Sequence, residues 1–204
     1  MIIVKDNKEP LVDIRKACPE ILIGNASKRI FKKYGPLVRK TVAKILNKAQ
    51  KTLPKGMELV VDSAWRPSWY QRKIFENSVK KFSKLYPKWN RKRTLREVNK
   101  YVASWKGKYA SGHMAGGAVD VRIIKNSRRL LMTTKKLSYQ EAAKTYSKKI
   151  PNYLRKNRQI LVEALARAGF SNYPHEFWHW SYGDYWWAKR KKKKVAIYGV
   201  INLD

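Results

Sequence analysis

Apolar residues along this chain recur at two periods, and the switch between them marks out its elements. In 36–53, Val38, Val42, Ile45, Leu46 and Ala49 fall at helical spacing with Lys and Arg opposite, which predicts an amphipathic helix turned to a core. Residues 57–62 read as a short buried strand. Pro67 should stop that strand and open a new helix running to about residue 85, with Ile74, Phe75, Phe82 and Leu85 near one face. Arg66 then sits at a strand-to-helix turn. Strict alternation returns in 118–124, where Val119, Val121 and Ile123 share one face and Ala118, Asp120 and Arg122 the other, as in a half-buried strand.

The lysine-rich stretch from 88 to 108 carries a capping-box pattern at Thr94 and Glu97 and so predicts its own helix, within an insertion at about 86–108. Ser138 with Glu141 opens another helix, and a third runs from Pro151 to a stop at Gly169. Aromatic residues in 176–182 and the late 195–200 predict strands. Helices and short strands without regular alternation give an α+β reading. The expectation is a single domain over 1–204, with a small, mainly antiparallel sheet flanked by helices and a metal site on the sheet.

Composition narrows the picture. At 204 residues, 44% hydrophobic with eight Trp, the chain can fill a real core. Lys and Arg number 47 against 14 acids, a formal charge of +33 that would draw polyanions such as anionic cell-wall polymers. The basic residues are spread through predicted helices, and no alternation of basic and aromatic residues marks a nucleic-acid module. Most of them read as solvated faces. One cysteine, Cys18, leaves no internal disulfide, and no apolar run near the start suits a signal peptide or a membrane span. A cytoplasmic location is the expectation.

Candidate chemistry gathers around two of only three histidines. His113 lies in Ser111-Gly112-His113-Met114-Ala115-Gly116-Gly117, which leads onto the strand bearing Asp120. The glycines let the imidazole fold back, so a nitrogen and an oxygen ligand can converge on one metal. Pro174-His175-Glu176-Phe177-Trp178-His179-Trp180 adds a third ligand, His179, and a carboxylate, Glu176, that need not bind metal. Zinc held by three protein ligands keeps a position for water and lowers its pKa, while a nearby carboxylate moves the proton. Phe177, Trp178, Trp180 and Trp186 would keep bulk water out.

A rival decoding exists, because 175–179 also matches H-E-x-x-H, in which a helix sets both histidines on one zinc. Pro174 and Gly183 leave little room for that helix, and the aromatic density favours a strand. In a regular strand, however, Glu176 and His179 would face opposite ways, so the backbone must bend between them.

S-x-H-x-x-G-x-A-x-D followed by E-x-W-H resembles the zinc D-alanyl-D-alanine dipeptidases of the vancomycin-resistance type and their wider group, which includes D,D-carboxypeptidases. The runs 176–188 and 196–199 are similar to the dipeptidase branch. The resemblance implies one zinc ion held by His113, Asp120 and His179, with Glu176 as base, Arg66 stabilising the oxyanion and Ser111 helping to hold substrate. It implies hydrolysis of D-Ala-D-Ala, or, as the alternative, removal of the last residue of peptidoglycan stem peptides. Dipeptidases of this type carry an acid after the metal strand for the substrate's amino end, and 131–137 here has none, which leaves room for longer peptides cut by a carboxypeptidase or for another acid such as Asp184 or Glu141. From another class, a basic polyanion-binding protein with a structural zinc would share the ligands but not the chemistry.

Overall fold

The structure, a computed structural model, describes residues 1–107 and 109–203. In chain order the elements are β1 (Ile3–Val4), β2 (Leu11–Asp13), α1 (Ile14–Ala17), β3 (Leu22–Ile23), α2 (Lys28–Tyr34), β4 (Leu37–Arg39), α3 (Lys40–Lys51), β5 (Met57–Ser63), α4 (Ser68–Leu85) and α5 (Arg91–Val98). They continue with β6 (Ala118–Lys125), β7 (Arg128–Arg129), α6 (Tyr139–Ala143), α7 (Asn152–Ala168), β8 (Ser171–Tyr173), β9 (Glu176–Ser181), α8 (Tyr185–Arg190) and β10 (Val195–Ala196).

The main sheet runs β3-β5-β6-β9-β8, with β7 also on β6. It is mixed: β3 lies parallel to β5 and every other pairing in it is antiparallel. The alternation expected of β6 holds. Val119, Val121 and Ile123 join Leu59 and Val61 of β5 in a buried cluster with Val42 and Leu46 of α3 and Leu161 and Leu165 of α7. That packing gives the opposite face of the same strands, with Asp120 and Arg122, to the functional side, where α4 and α5 stand.

Several local expectations are corrected. The helix foreseen over 36–53 starts only at Lys40, because 37–39 pairs with β2 instead. In the inserted stretch, Asn90 rather than Thr94 caps α5, its side chain accepting from Arg93 N at 2.9 Å, while Thr94 is buried inside the helix. Asn is the stronger cap and stands one turn earlier. Lys108, the end of that stretch, lies outside the described residues. Leu85 is not in the core but 58% exposed. The late strand shrinks to two residues paired with β1. Ser138 does cap α6, and Gly169 closes α7 at φ 114°. Cys18 is buried, and burial raises its thiol pKa to about 11, so it is inert packing. Among the described residues, no helix is long and apolar enough to cross a membrane.

Two fully buried arginines do the work that acids usually share. Arg39 donates from Nε to Ala115 O at 2.9 Å, and from Nη2 to Asp6 Oδ1 at 2.9 Å and Gly199 O at 3.1 Å. It thereby ties both ends of the chain to the loop before β6. Arg158 of α7 has no carboxylate; it donates to the carbonyls of Met132, Ala142 and Lys144 and lies 4.2 Å from the Phe177 ring centre. Burial pulls its pKa down to about 10. Replacing Arg158 by Leu would strand those carbonyls, each costing about 1–3 kcal/mol when buried without a donor. We expect Arg158→Leu to lower the urea midpoint by an amount worth roughly 3 kcal/mol and to loosen 132–144 first, seen as faster amide exchange there.

Candidate active site

Asp120 and His179 are direct cross-strand partners in the β6–β9 register, which brings two donor groups 59 residues apart in sequence onto one spot. Asp120 Oδ1 is 2.9 Å from His179 Nδ1. His113 arrives from the loop 111–117, its Nε2 lying 3.3 Å from both of those atoms. Two backbone contacts to the β5–α4 turn fix this imidazole: Nδ1 donates to Ala64 O at 2.8 Å, and Arg66 N donates to His113 O at 3.2 Å. Because a carbonyl can only accept, Nδ1 carries the proton and the Nε2 lone pair faces the other two donors.

His113 Nε2, His179 Nδ1 and Asp120 Oδ1 stand 2.9–3.3 Å apart, and both imidazoles stabilise the carboxylate between them. The edge of a tetrahedron built on zinc's bonds of 2.0–2.2 Å to N and O is about 3.3 Å, so the donor set fits one zinc ion. Among the described residues this is the one His/Cys/Asp/Glu group close enough to share an ion. Burial lowers the His113 pKa to about 4, with Arg66 adding to the effect against Asp120. For Asp120, burial works upward, but the two imidazoles and Arg66 outweigh it and hold the carboxyl well below the usual range. Both groups are therefore in their ligating forms at neutral pH.

Arg66 meets the second oxygen of Asp120, Nη2 to Oδ2 at 2.7 Å, while Nε donates to Ser63 Oγ at 2.9 Å and Nη1 to Gln71 Oε1 at 3.3 Å. The arginine thus orients a ligand as well as facing the cleft. Ser111 is buried in the same loop, its Oγ accepting from His113 N at 3.4 Å. Gly112 is required by close approach: a Cβ there would stand 2.1 Å from Asp184 Oδ2. Gly116 takes φ 68°, turning the loop back toward β6.

The bend that a regular strand would deny is found in β9. Tyr173 pairs with Glu176 but Asn172 with Trp180, so 177–179 bulges out of register. The Asn172 amide clips the bulge, donating to Glu176 O and His179 O at 3.1 Å each, and its Oδ1 accepts from Thr145 at 2.5 Å. Glu176 and His179 consequently border the same cleft. Burial raises the Glu176 pKa to about 7, with Asp120 adding and His179 and Arg66 opposing. His175, by contrast, is exposed beside Tyr173, and since its segment is a strand, the helical H-E-x-x-H decoding has no structure to rest on.

The cleft has two arms, of about 840 Å³ and 320 Å³, which share Arg66, Asp120, Ile74 and Trp178. Trp178 and Trp186 border the larger arm, whereas Trp180 points into the core and Phe177 is buried beneath the smaller arm, so only part of the expected aromatic shield faces the site. Among the described residues, Asp120 and Glu176 are the only acids on the larger arm; the other charged groups there are Arg66, Lys81, Lys100 and Arg190. Asp184 is used as the cap of α8 and Glu141 pairs with Lys149. Neither borders the cleft. Sequence reasoning missed Asn172, whose partner Thr145 lies 27 residues away, and Ser63 and Gln71, which stand close to Arg66 in the chain but become its acceptors only once the turn is folded. It also missed Tyr139, which borders the larger arm with Glu176 while remaining largely exposed.

Three donors with a partly buried carboxylate beside them are the groups that zinc hydrolases use. The profile of the family described as D-ala-D-ala dipeptidase, Peptidase_M15, matches residues 7–196, and the chain belongs to that family of zinc metallopeptidases. No curated protein matches the chain. Among solved structures it is similar to VanYB in complex with D-alanine-D-alanine, at 19% identity over 72% of each chain with a TM-score of 0.49. A zinc complex of a variant of the vancomycin-resistance D,D-pentapeptidase VanY is 17% identical, covering 89% of this chain and 86% of that one, TM-score 0.49. The LdcB LD-carboxypeptidase is 22% identical over 90% and 73%, TM-score 0.49.

Two outcomes check this geometry. His113→Ala should abolish zinc retention after dialysis while His175→Ala retains it, read by metal analysis on folded protein. Glu176 has a folded pKa above its unfolded one, so the fold favours the protonated form and ionisation costs stability as pH rises toward about 7. Metal-free Glu176→Gln should therefore match its parent near pH 4 and exceed it at pH 8, by roughly 1–3 kcal/mol in urea unfolding.

Proposed function

We propose that this chain hydrolyses the peptide bond between two D-alanines at the end of a longer, N-acylated peptide, by direct attack of water. The convergence of His113, Asp120 and His179 beside Glu176 carries the reading. In it, those three residues hold one zinc ion, which when bound supplies Lewis acidity to water and carbonyl. Glu176 accepts the proton of the attacking water as its oxygen bonds to the carbonyl carbon. The arginine fork has five N–H donors; three are taken by Ser63, Gln71 and Asp120, which leaves two for the oxygen on which negative charge develops. Protonated Glu176 then returns its proton to the leaving nitrogen as the C–N bond breaks, giving a new carboxyl end and free D-alanine. No covalent link to the protein forms.

The preference for an acylated peptide over the free dipeptide, the narrower activity of the dipeptidase branch, rests on the cleft. An extended dipeptide is about 7 Å long, whereas two arms of 840 and 320 Å³ suit far larger ligands. Among the described residues, a free ammonium would find no acid on the larger arm beyond Asp120 and Glu176, both already committed, and would meet four cationic side chains there.

An assay on N-acetylated tripeptides ending in D-Ala-D-Ala, against free D-Ala-D-Ala, tests this directly. The expectation is a kcat/KM at least tenfold higher for the acylated peptides, abolished by chelator and restored by zinc. Glu176→Gln should lose about a hundredfold or more in kcat while keeping its zinc. On the acid side kcat/KM should fall as Glu176 becomes protonated, at or below pH 7, because a nearby divalent cation favours the carboxylate. Faster cleavage of the free dipeptide would return the chain to the dipeptidase branch, and no zinc-dependent hydrolysis of either would sink the reading.

A further inference from the structure

The smaller arm of the cleft has a charge pattern that the hydrolytic chemistry does not use. Three guanidinium groups, from Arg66, Arg122 and Arg129, border it, against two carboxylates, Asp62 and Asp120. Both acids are already occupied: Asp120 by Arg66, and Asp62 by Arg122, whose Nε donates to Asp62 Oδ2 at 2.8 Å. The other oxygen of Asp62 lies against Gly24, where a Cβ would stand 1.9 Å from it. The Oδ2 contact aims Arg122. Both Nη groups of Arg122 are without a hydrogen-bond partner among the described residues, and so is the whole guanidinium of Arg129.

Position along the sheet gives this pattern a register. Arg122 follows Asp120 by two residues on the same face of β6, a displacement of about 7 Å at 3.3–3.4 Å per residue. Arg129 stands on β7, paired with Ile124 beyond it. A peptide lying along this face with its reacting carbonyl near Asp120 would bring a carboxylate one residue and a side chain's reach away onto that pair of arginines. An arginine fork recognises a carboxylate through paired N–H donors.

We propose that the smaller arm is an anion subsite in which Arg122 and Arg129 bind a carboxylate of the peptide substrate away from the bond that is cut. The proposal rests on the hydrolytic reading above and names the substrate feature that the cleft selects. The same chemistry has two sources in such a peptide, an acidic residue preceding the two D-alanines or the terminal carboxylate itself.

Three zinc-dependent substrates separate these sources: N-acetyl-Glu-D-Ala-D-Ala, N-acetyl-Gln-D-Ala-D-Ala, and the C-terminal amide of the second. Arg129→Gln is a surface change that leaves the fold alone, and Arg122→Lys keeps the charge facing Asp62 while losing the fork. For an upstream acid, each variant raises KM for the Glu peptide about tenfold to a hundredfold, leaves the Gln peptide unchanged and spares kcat; the parent's preference for Glu also shrinks at high salt. For a terminal carboxylate, both free acids lose affinity and the amide does not. Either pattern supports the subsite. Equal KM values for all three substrates, unmoved by both variants, overturn it while hydrolysis itself stands. Calorimetric binding of the Glu and Gln peptides is measured alongside: a Glu preference that both variants abolish, without turnover, would sink the hydrolytic reading and keep the subsite.

Discussion

The site depends on one convergence: His113 Nε2, His179 Nδ1 and Asp120 Oδ1, held within 3.3 Å of one another by bonds made elsewhere. It persists because strand pairing sets Asp120 opposite His179, and because the Ala64 carbonyl and the Arg66 amide grip His113 from the turn after β5. Strand pairing thus gathers three donors into a set that fits one dication. Arg39, pulling on Ala115 from the far side of the loop, belongs to the same scaffold.

Around that centre, acids are scarce and cations are used as structural linkers. Arg158 organises the wall that carries α6 by donating to carbonyls, Arg66 steadies a ligand, and Arg190 reaches the hydroxyls of Ser171 and Ser181 behind β9. Of the two fully buried arginines, Arg39 divides its donors between Asp6 and carbonyls and Arg158 uses carbonyls alone. One consequence is a cleft lined by more cationic than acidic side chains, whose field favours anionic ligands.

Much of this could be read from residues alone, where the signal was local. The alternation of 118–124 faced Asp120 away from the core, and the turn residues 65–67 set Arg66 at the start of a helix, as found. The rest was carried by contacts across the chain. Nothing within 176–179 encodes the bulge that turns Glu176 and His179 into one cleft; the Asn172 amide and its own partner Thr145 do, from other segments. The first residues of the helix expected at 36–53 were lost to β2, a partner more than twenty residues upstream, and Asn90 displaced Thr94 because two capping residues competed within one turn. The fate of Asp184 was likewise invisible, since its burial against Gly112 joins segments far apart.

His113 and His179 are separated by 66 positions, and their convergence needs β5, β6 and β9 already aligned. A motif such as H-E-x-x-H can seize an ion while the polypeptide is still forming a single helical turn. Here His113 and Asp120 stand close in the chain, but bringing in His179 means closing a loop of 59 residues from Asp120, so early capture of all three donors is weak. Metal loading is therefore expected to follow the closure of the sheet that gathers them.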